Sequence, residues 1–403
     1  MSSASSLGEP RQVKEWGSSG LAYLTGLPDG PADFSRANLL TRAHQVATAI
    51  GDRLDIDVDA VSLLTGRAAL LGLTRGGRVS PGGGTRLLAA RDGFWALTLS
   101  RADDLDAVPA LLQVGVDDVV ADPWPVLQRW AATRPVAEIV ERARLLDLPA
   151  AALGETAPAP PRTRVNGSRV APRAPRGLLV ADLSSMWAGP LCGHLLAHAG
   201  ATVVKVESPR RPDGTRAGNR AFFDWINAQK LCYEVDFDSQ ADELRELLAV
   251  SDVVIEGSRP AALARRGLGP DDVAPRPGRI WLQITGYDGR RPGFGDDTAV
   301  AGGLTGTSAE GPVFCGDAIA DPLTGLQATL AVAESLGRGG GELIGVSMAG
   351  VAATYAALPV EASASPAPVS APSAPPASRP ASAPGGDNGA VRRLVSQRRV
   401  LSC

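Results

Sequence analysis

A chain of 403 residues, 44% of them hydrophobic, is long enough for two or three domains with sizeable cores. Its formal net charge of −3 offers no footprint for nucleic acid or an anionic membrane, and no apolar run reaches the roughly 18 residues of a membrane span. The opening MSSASSLGEPRQVKEW has no apolar stretch of the signal-peptide kind, so a cytoplasmic location is expected.

Cys192, Cys232, Cys315 and Cys403 show no CxxC spacing. His44, His194 and His198 contain one His-xxx-His step and no third ligand nearby. Neither a zinc site nor a disulfide framework is expected. The basic residues are nearly all arginine, with Lys14, Lys205 and Lys230 the exceptions, and a forked guanidinium suits phosphate ligands.

In chain order, residues 1–15 read as a disordered N-terminus and 16–77 as a helical segment. Within it a turn at Pro28-Asp29-Gly30-Pro31 leads to a helix from Arg36 to Ile50, and a second helix runs from Asp57 to Leu73. Residues 78–155 read as a small α+β domain: the glycine turn Gly82-Gly83-Gly84, a strand over Phe94–Leu99, and helices at Asp103–Leu112, Trp124–Thr133 and Val136–Leu146. Residues 156–176 read as a Pro/Arg-rich linker.

The stretch Gly177 to Pro209 organises the second half of the chain. Leu178–Ala181 is short and apolar enough for a buried strand; Leu191, Leu195 and Leu196 give a helical stripe; Gly200 stops it; Val203–Val206 is a second strand. This β-α-β unit calls for a parallel sheet, with its loop Ser184–Gly189 at the carboxyl end of the first strand, where open α/β sheets bind ligands. No GxGxxG is present. Strands at Val253–Glu256 and Ile280–Ile284, with a helix at Ala241–Ala249, extend the pattern. The fold class is therefore α/β: a doubly wound, Rossmann-like parallel sheet over 177–358 with a smaller α+β domain. The Ala/Pro/Ser-rich tail, 359–403, reads as disordered with a short helix near Val391–Gln397. One internal echo stands out: Gly17–Gly26 resembles Ala301–Gly306, so 16–77 reads as a degenerate copy of the large-domain end.

The segments ADLSSMWAGPLCGHLLAHAGATVVKVESP, PDGTR, NAQKLCYEVDF, SDVVIEGSRPAALARRGLG, ITGYDGRRPGF, GDAIADPLTG and GGELIGVSM together resemble the class III CoA-transferase (CaiB/BaiF) family. The resemblance implies an enzyme that moves coenzyme A between an acyl-CoA thioester and a carboxylic acid, with CoA as substrate and no permanently bound cofactor. It also implies a homodimer. The family's nucleophilic aspartate matches Asp317, after Gly316; a carboxylate attacking a thioester splits a hard exchange into easier steps. On residues alone Asp317 reads first as the cap of a helix beginning near Asp321-Pro322. The resemblance places CoA against Met186, Trp187 and Ala188, the strand end Val235-Asp236, and Arg259 and Arg265. The family's flexible loop over the nucleophile matches Gly82, Gly83 and Gly84, and its Asn-x-x-Lys step matches Asn227 and Lys230, a support near the site.

Two departures accompany the match. Ser208, not arginine, follows Glu207, and the small-domain-like segment precedes the β-α-β unit, so the domain order is rearranged. Racemase members carry a His-Asp step where this chain has Gly295-Asp296-Asp297; α-carbon deprotonation needs a base near neutral pKa, which disfavours racemisation. A 2-methylacyl-CoA isomerase and a non-catalytic CoA-binding protein remain the alternatives.

Overall fold

The computed structural model describes residues 11–115, 122–257, 262–289, 291–361 and 367–400. The chain enters through three helices, α1 (Arg11–Ser18), α2 (Ala37–Leu54) and α3 (Ala60–Leu71). Asp59 starts α3 by accepting the N–H groups of Val61 and Ser62, and Gly72, at φ +64°, ends it. The expectation of disorder through residue 15 fails from Arg11 onward, because Val13 and Trp16 are buried in the main core; residues 1–10 lie outside the described residues.

A small antiparallel sheet comes next. Strands β1 (Thr85–Ala89) and β2 (Phe94–Thr98) lead to helices α4 (Ala102–Asp106), α5 (Val108–Leu112), α6 (Trp124–Ala131) and α7 (Val136–Leu145), and β3 (Ala150–Ala152) pairs with β2. The helix expected over Asp103–Leu112 is two helices, because Pro109 has no N–H to continue the first ladder and suits the opening turn of the second. The expected linker, 156–176, contains β4 (Arg162–Val165), which adds to the large sheet as an exposed antiparallel edge. Its alternating arginines carry the charge that blunts an edge strand.

The large sheet is built from β5 (Leu179–Asp182), β6 (Thr202–Glu207), β7 (Leu231–Glu234), β8 (Val253–Glu256), β9 (Ile280–Thr285) and, beyond the hairpin β10 (Thr305–Ser308) and β11 (Gly311–Phe314), β12 (Glu342–Ser347). Its order is β4-β12-β9-β8-β5-β6-β7, with every pair parallel except β12 with β4. Strands buried on both faces must be apolar throughout, as Leu179–Ala181 and Val253–Ile255 are. The chain builds outward from β5 through β6 and β7, then returns to β5's other side for β8, β9 and β12. Connections therefore part between β5 and β8, and a crevice opens beyond their carboxyl ends.

The helices of this half are α8 (Ala188–His198), α9 (Gly214–Gly218), α10 (Arg220–Asn227), α11 (Ala241–Val250), α12 (Gly295–Ala301), α13 (Ala320–Gly337), α14 (Met348–Ala356) and α15 (Asn388–Val400). On one face α8 and α13 share a core with α1, α2 and α3; on the other, α11 and α15 cover Leu179, Val204 and Trp281. The N-terminal helices are thus a layer of the large core, not a separate body.

The tail is not disordered where the structure describes it. Ser370 donates its N–H to the Gly17 carbonyl at 2.9 Å, Ala381 donates to Asp224 at 2.9 Å, and Asp387 accepts from the Cys232 N–H at 2.8 Å. Prolines stiffen such a strap before it docks, lowering the entropy lost on binding the surface. Helix α15 then buries Val391 and Val395, two branched side chains one turn apart. Val391→Ala should lower the unfolding free energy by about 2 kcal/mol, whereas exposed Arg393→Ala should change it by less than about 0.5 kcal/mol. Urea unfolding of the full chain measures both, and equal midpoints would show that α15 adds nothing to the fold.

Candidate active site

Three backbone features present Asp317. The hairpin β10–β11 ends at Phe314, and Gly316 turns the chain with φ +65°, donating its N–H to Thr25 Oγ1 at 3.1 Å. Ala318 is held at φ +43°, in the left-handed region that costs a residue with a Cβ, and donates its N–H to Asp296 at 3.0 Å. Helix α13 begins immediately after, without a side-chain cap. Asp317 does not cap it. Its carboxylate is fully buried, with both oxygens 2.6 Å from Nη1 of Arg67 on α3.

Arg67 is the residue that motif reading misses. Its guanidinium lies over the rings of Trp187 and Phe222, 5.6 and 5.7 Å from their centroids, where a ring face attracts a cation. The available signal is a lone charge in an otherwise apolar helix, Ser62-Leu63-Leu64-Thr65-Gly66-Arg67-Ala68-Ala69-Leu70-Leu71.

Carboxyl groups crowd this point. Helix α12 brings Asp296 and Asp297 in its first turn, and α13 brings Asp321 in its own. The two helix starts pack so closely that a Cβ on Gly295 would lie 2.4 Å from the Ala318 carbonyl oxygen, so only glycine fits. Asp296 accepts from Thr85 Oγ1 at 3.2 Å, and Thr85 in turn lies 2.9 Å from Thr98 Oγ1, which donates to Asp297 at 3.1 Å. Tyr287 also donates to Asp297. Burial pushes Asp296 up to about 7, reinforced by the charge of Asp317; burial likewise pushes Asp321 to about 7 and Asp297 to about 6. Burial raises Asp317 as well, and Arg67 opposes that rise. Among the described residues no group of three or more His, Cys, Asp or Glu is arranged to hold a metal ion.

The glycine loop comes to this place. A Cβ on Gly82 would lie 3.8 Å from Asp317 Oδ1 and 3.7 Å from Arg67 Nη2, while one on Gly83, at φ +77°, would meet open space. The loop therefore has an inner side against the carboxylate and an outer side without packing. The first loop comes there too, in a different way than expected. Of Met186, Trp187 and Ala188, Met186 is 39% exposed, whereas Trp187 and Ala188 are buried. Trp187 is a floor for Arg67, and the Ala188 N–H is directed to the Asp321 carboxyl. A buried ion pair braces the loop: Lys205 Nζ holds Asp213 at 2.7 Å and the Ser184 carbonyl, and Asp213 accepts the Met186 N–H at 3.2 Å. Lys230, also fully buried, pairs with Asp182 at the end of β5 at 2.8 Å, which places it beneath the same loop.

The remaining expected positions are not gathered there. Val235 is a core residue at 1% exposure, so its side chain offers no ligand surface. Asp236 accepts the N–H groups of Asp238 and Ser239 and pairs with Arg210 at 3.1 Å; those N–H groups hold its carboxyl below the usual carboxylate range. Arg265 is exposed in the short turn Ala264–Arg266, and Arg259 lies outside the described residues.

The carboxyl cluster sets a pH dependence. A carboxyl raised above its unfolded value binds more protons in the folded state, so its stabilising effect is present at low pH and is lost as pH rises through the folded value. For Asp296 and Asp321 that window runs from about 4 to about 7. The melting temperature at fixed ionic strength should fall across this range, and Asp296→Asn should flatten the fall. An unchanged slope in the variant would refute the buried-acid account of this residue.

The family model "CoA-transferase family III" matches residues 176–384, more than half of the chain. The chain is 34% identical over 175 residues to the succinyl-CoA–L-malate CoA-transferase beta subunit of Chloroflexus aurantiacus, covering 39% of this chain and 43% of that one. It is 32% identical over 178 residues to the succinyl-CoA:glutarate CoA-transferase of Homo sapiens, covering 40% and 41%. A crystal structure of a hypothetical protein from Mycobacterium tuberculosis aligns at 32% identity and TM-score 0.42, covering 46% of this chain and 57% of that one. The chain spans 37–50% of the length of the curated relatives it matches. With a match to the family model over more than half its length, the chain belongs to CoA-transferase family III.

Proposed function

We propose that this chain moves coenzyme A from an acyl-CoA thioester to a carboxylic acid, with Asp317 as nucleophile and an aspartyl thioester as intermediate. The observation that carries the reading is the position of the Asp317 carboxylate: it caps no helix, pairs with a guanidinium, and lies under a glycine loop whose outer side is unpacked. Relatives named as CoA-transferases support the reaction class.

Asp317 Oδ attacks the thioester carbonyl carbon, the C–S bond breaks, and CoA leaves as thiolate, giving a mixed anhydride. The thiolate then attacks the aspartyl carbonyl and expels the donor acid as its carboxylate. The acceptor carboxylate repeats the two steps in reverse and restores Asp317. A single negative charge moves through every step, and none has to be created in the buried site. Amide N–H groups of the glycine loop are suited to stabilising the oxyanions formed on the way. The CoA nucleotide is assigned to the strand ends around Met186 and Arg265. A homodimer, a cytoplasmic location and coenzyme A, carried as acyl-CoA, as substrate without a permanently bound cofactor belong to the same proposal and rest on family membership.

A second reading, proton exchange at the α-carbon, draws on Asp296, whose value of about 7 suits a base in the same cluster. A 2-methylacyl-CoA incubated in heavy water separates the two, since a transferase without base chemistry leaves its α-hydrogen in place.

Incubation with a panel of acyl-CoAs and hydroxylamine should inactivate the protein and leave a hydroxamate that mass spectrometry maps to Asp317. Asp317→Ala should lose CoA transfer by a factor of about 10³ or more. Turnover by this variant at the wild-type rate would sink the proposal.

A further inference from the structure

Arg67 has a second use, and the inference rests on the transferase reading. The guanidinium commits only Nη1 to Asp317; among the described residues its Nε and Nη2 donate to no acceptor. Nη2 faces Gly82, 3.7 Å from where a side chain there would begin. That glycine leaves a space next to both Nη2 and the Asp317 oxygen. Trp187 and Phe222 flank the cation, whose side chain is 22% exposed. Among the described residues, no other lysine or arginine lies within ion-pair distance of Asp317, Asp296 or Asp321. Asp317 is the carboxylate bonded to this partly exposed guanidinium, while Asp296 and Asp321 act on it at longer range.

The chemistry removes that partner. Once residue 317 is an anhydride or a thioester it carries no charge, and Arg67, 22% exposed, loses the carboxylate its guanidinium is bonded to. A partly exposed guanidinium released from that bond presents its fork to an anion arriving from outside. The anion the reaction supplies is first the donor carboxylate and then the acceptor carboxylate, whose two oxygens match a guanidinium fork.

We propose that Arg67 is the docking residue for the carboxylic acid substrate, and that it accepts the acid only while residue 317 is uncharged. Asp317 in its resting state occupies the post and repels a second carboxylate. This orders the reaction, because the acid is admitted after the nucleophile has been acylated and turned away before. Neither Arg67 nor its helix falls within the segment matched by the family model.

The test uses the full chain and needs no turnover. Asp317→Asn keeps the shape of the side chain and deletes its charge, so it mimics the acylated state. Succinate is titrated calorimetrically into the wild type, Asp317→Asn and the double variant Asp317→Asn/Arg67→Gln, with succinamide as the uncharged control. Asp317→Asn should bind succinate about tenfold or more tighter than the wild type, the double variant should lose the gain, and succinamide should not distinguish the three. A single variant that binds succinate no better than wild type, or a gain that survives Arg67→Gln, overturns the assignment. If Asp317→Asn shows no cooperative melting transition, Asp317→Ala takes its place under the same criteria.

The two proposals fail separately. A wild-type chain that forms the Asp317 adduct while the neutral variants show no gain loses the docking role of Arg67 and keeps the transferase reading. A gain in the neutral variants with no adduct in the wild type upholds the carboxylate site and overturns the transferase reading.

Discussion

A single guanidinium holds the centre of this molecule together electrically. Four aspartates, at 296, 297, 317 and 321, converge where two helix starts meet, Asp297 and Asp317 buried and Asp296 and Asp321 partly so. Such a cluster cannot ionise fully. Burial raises all four carboxyls, Asp296 and Asp321 to about 7 and Asp297 to about 6, and Arg67 opposes the rise at Asp317. Arg67 Nη1 lies 2.6 Å from both oxygens of Asp317.

The surrounding fold serves this arrangement in layers. The parallel sheet sets its crevice between β5 and β8, and the loop after β5 carries Trp187, against which Arg67 lies. Lys205 with Asp213 and Lys230 with Asp182 anchor that loop from below, each pair fully buried and therefore dependent on both partners being present. From the small domain, β1 brings Thr85, whose hydroxyl reaches Asp296 directly after the glycine loop. Three regions of the chain thus meet at one carboxylate: the N-terminal helices, the small sheet and the end of the large domain. The N-terminal helices are no accessory, since they supply both a wall of the core and the counter-ion.

The close contacts at Gly295 and the left-handed backbone at Ala318 belong to the same tight arrangement. Packing two helix N-termini against each other lets backbone N–H groups such as that of Ala318 face the acidic cluster. Positive helix ends and oriented amides favour negative charge. The site is thus biased toward holding an anion.

Local periodicity determined a good part of this protein. The strands at Leu179–Asp182, Val253–Glu256 and Ile280–Thr285 stand where short apolar runs placed them, and the large helices begin and end near their caps and glycines. Asp317 and the glycine loop were singled out by the family resemblance, since on residues alone Asp317 read as a helix cap. Tertiary structure decided the rest. Low-complexity composition suggested disorder for the tail and a loose linker for 156–176, yet exposed sheet edges and helix faces elsewhere in the chain bind both segments. The side chains of Trp187 and Val235 are buried because burial depends on what packs above them. The pairing of Arg67 with Asp317 spans 250 residues of chain, and no local pattern encodes a charge pair at that separation. Only the folded core, by leaving one cation among several buried acids, made those two side chains partners.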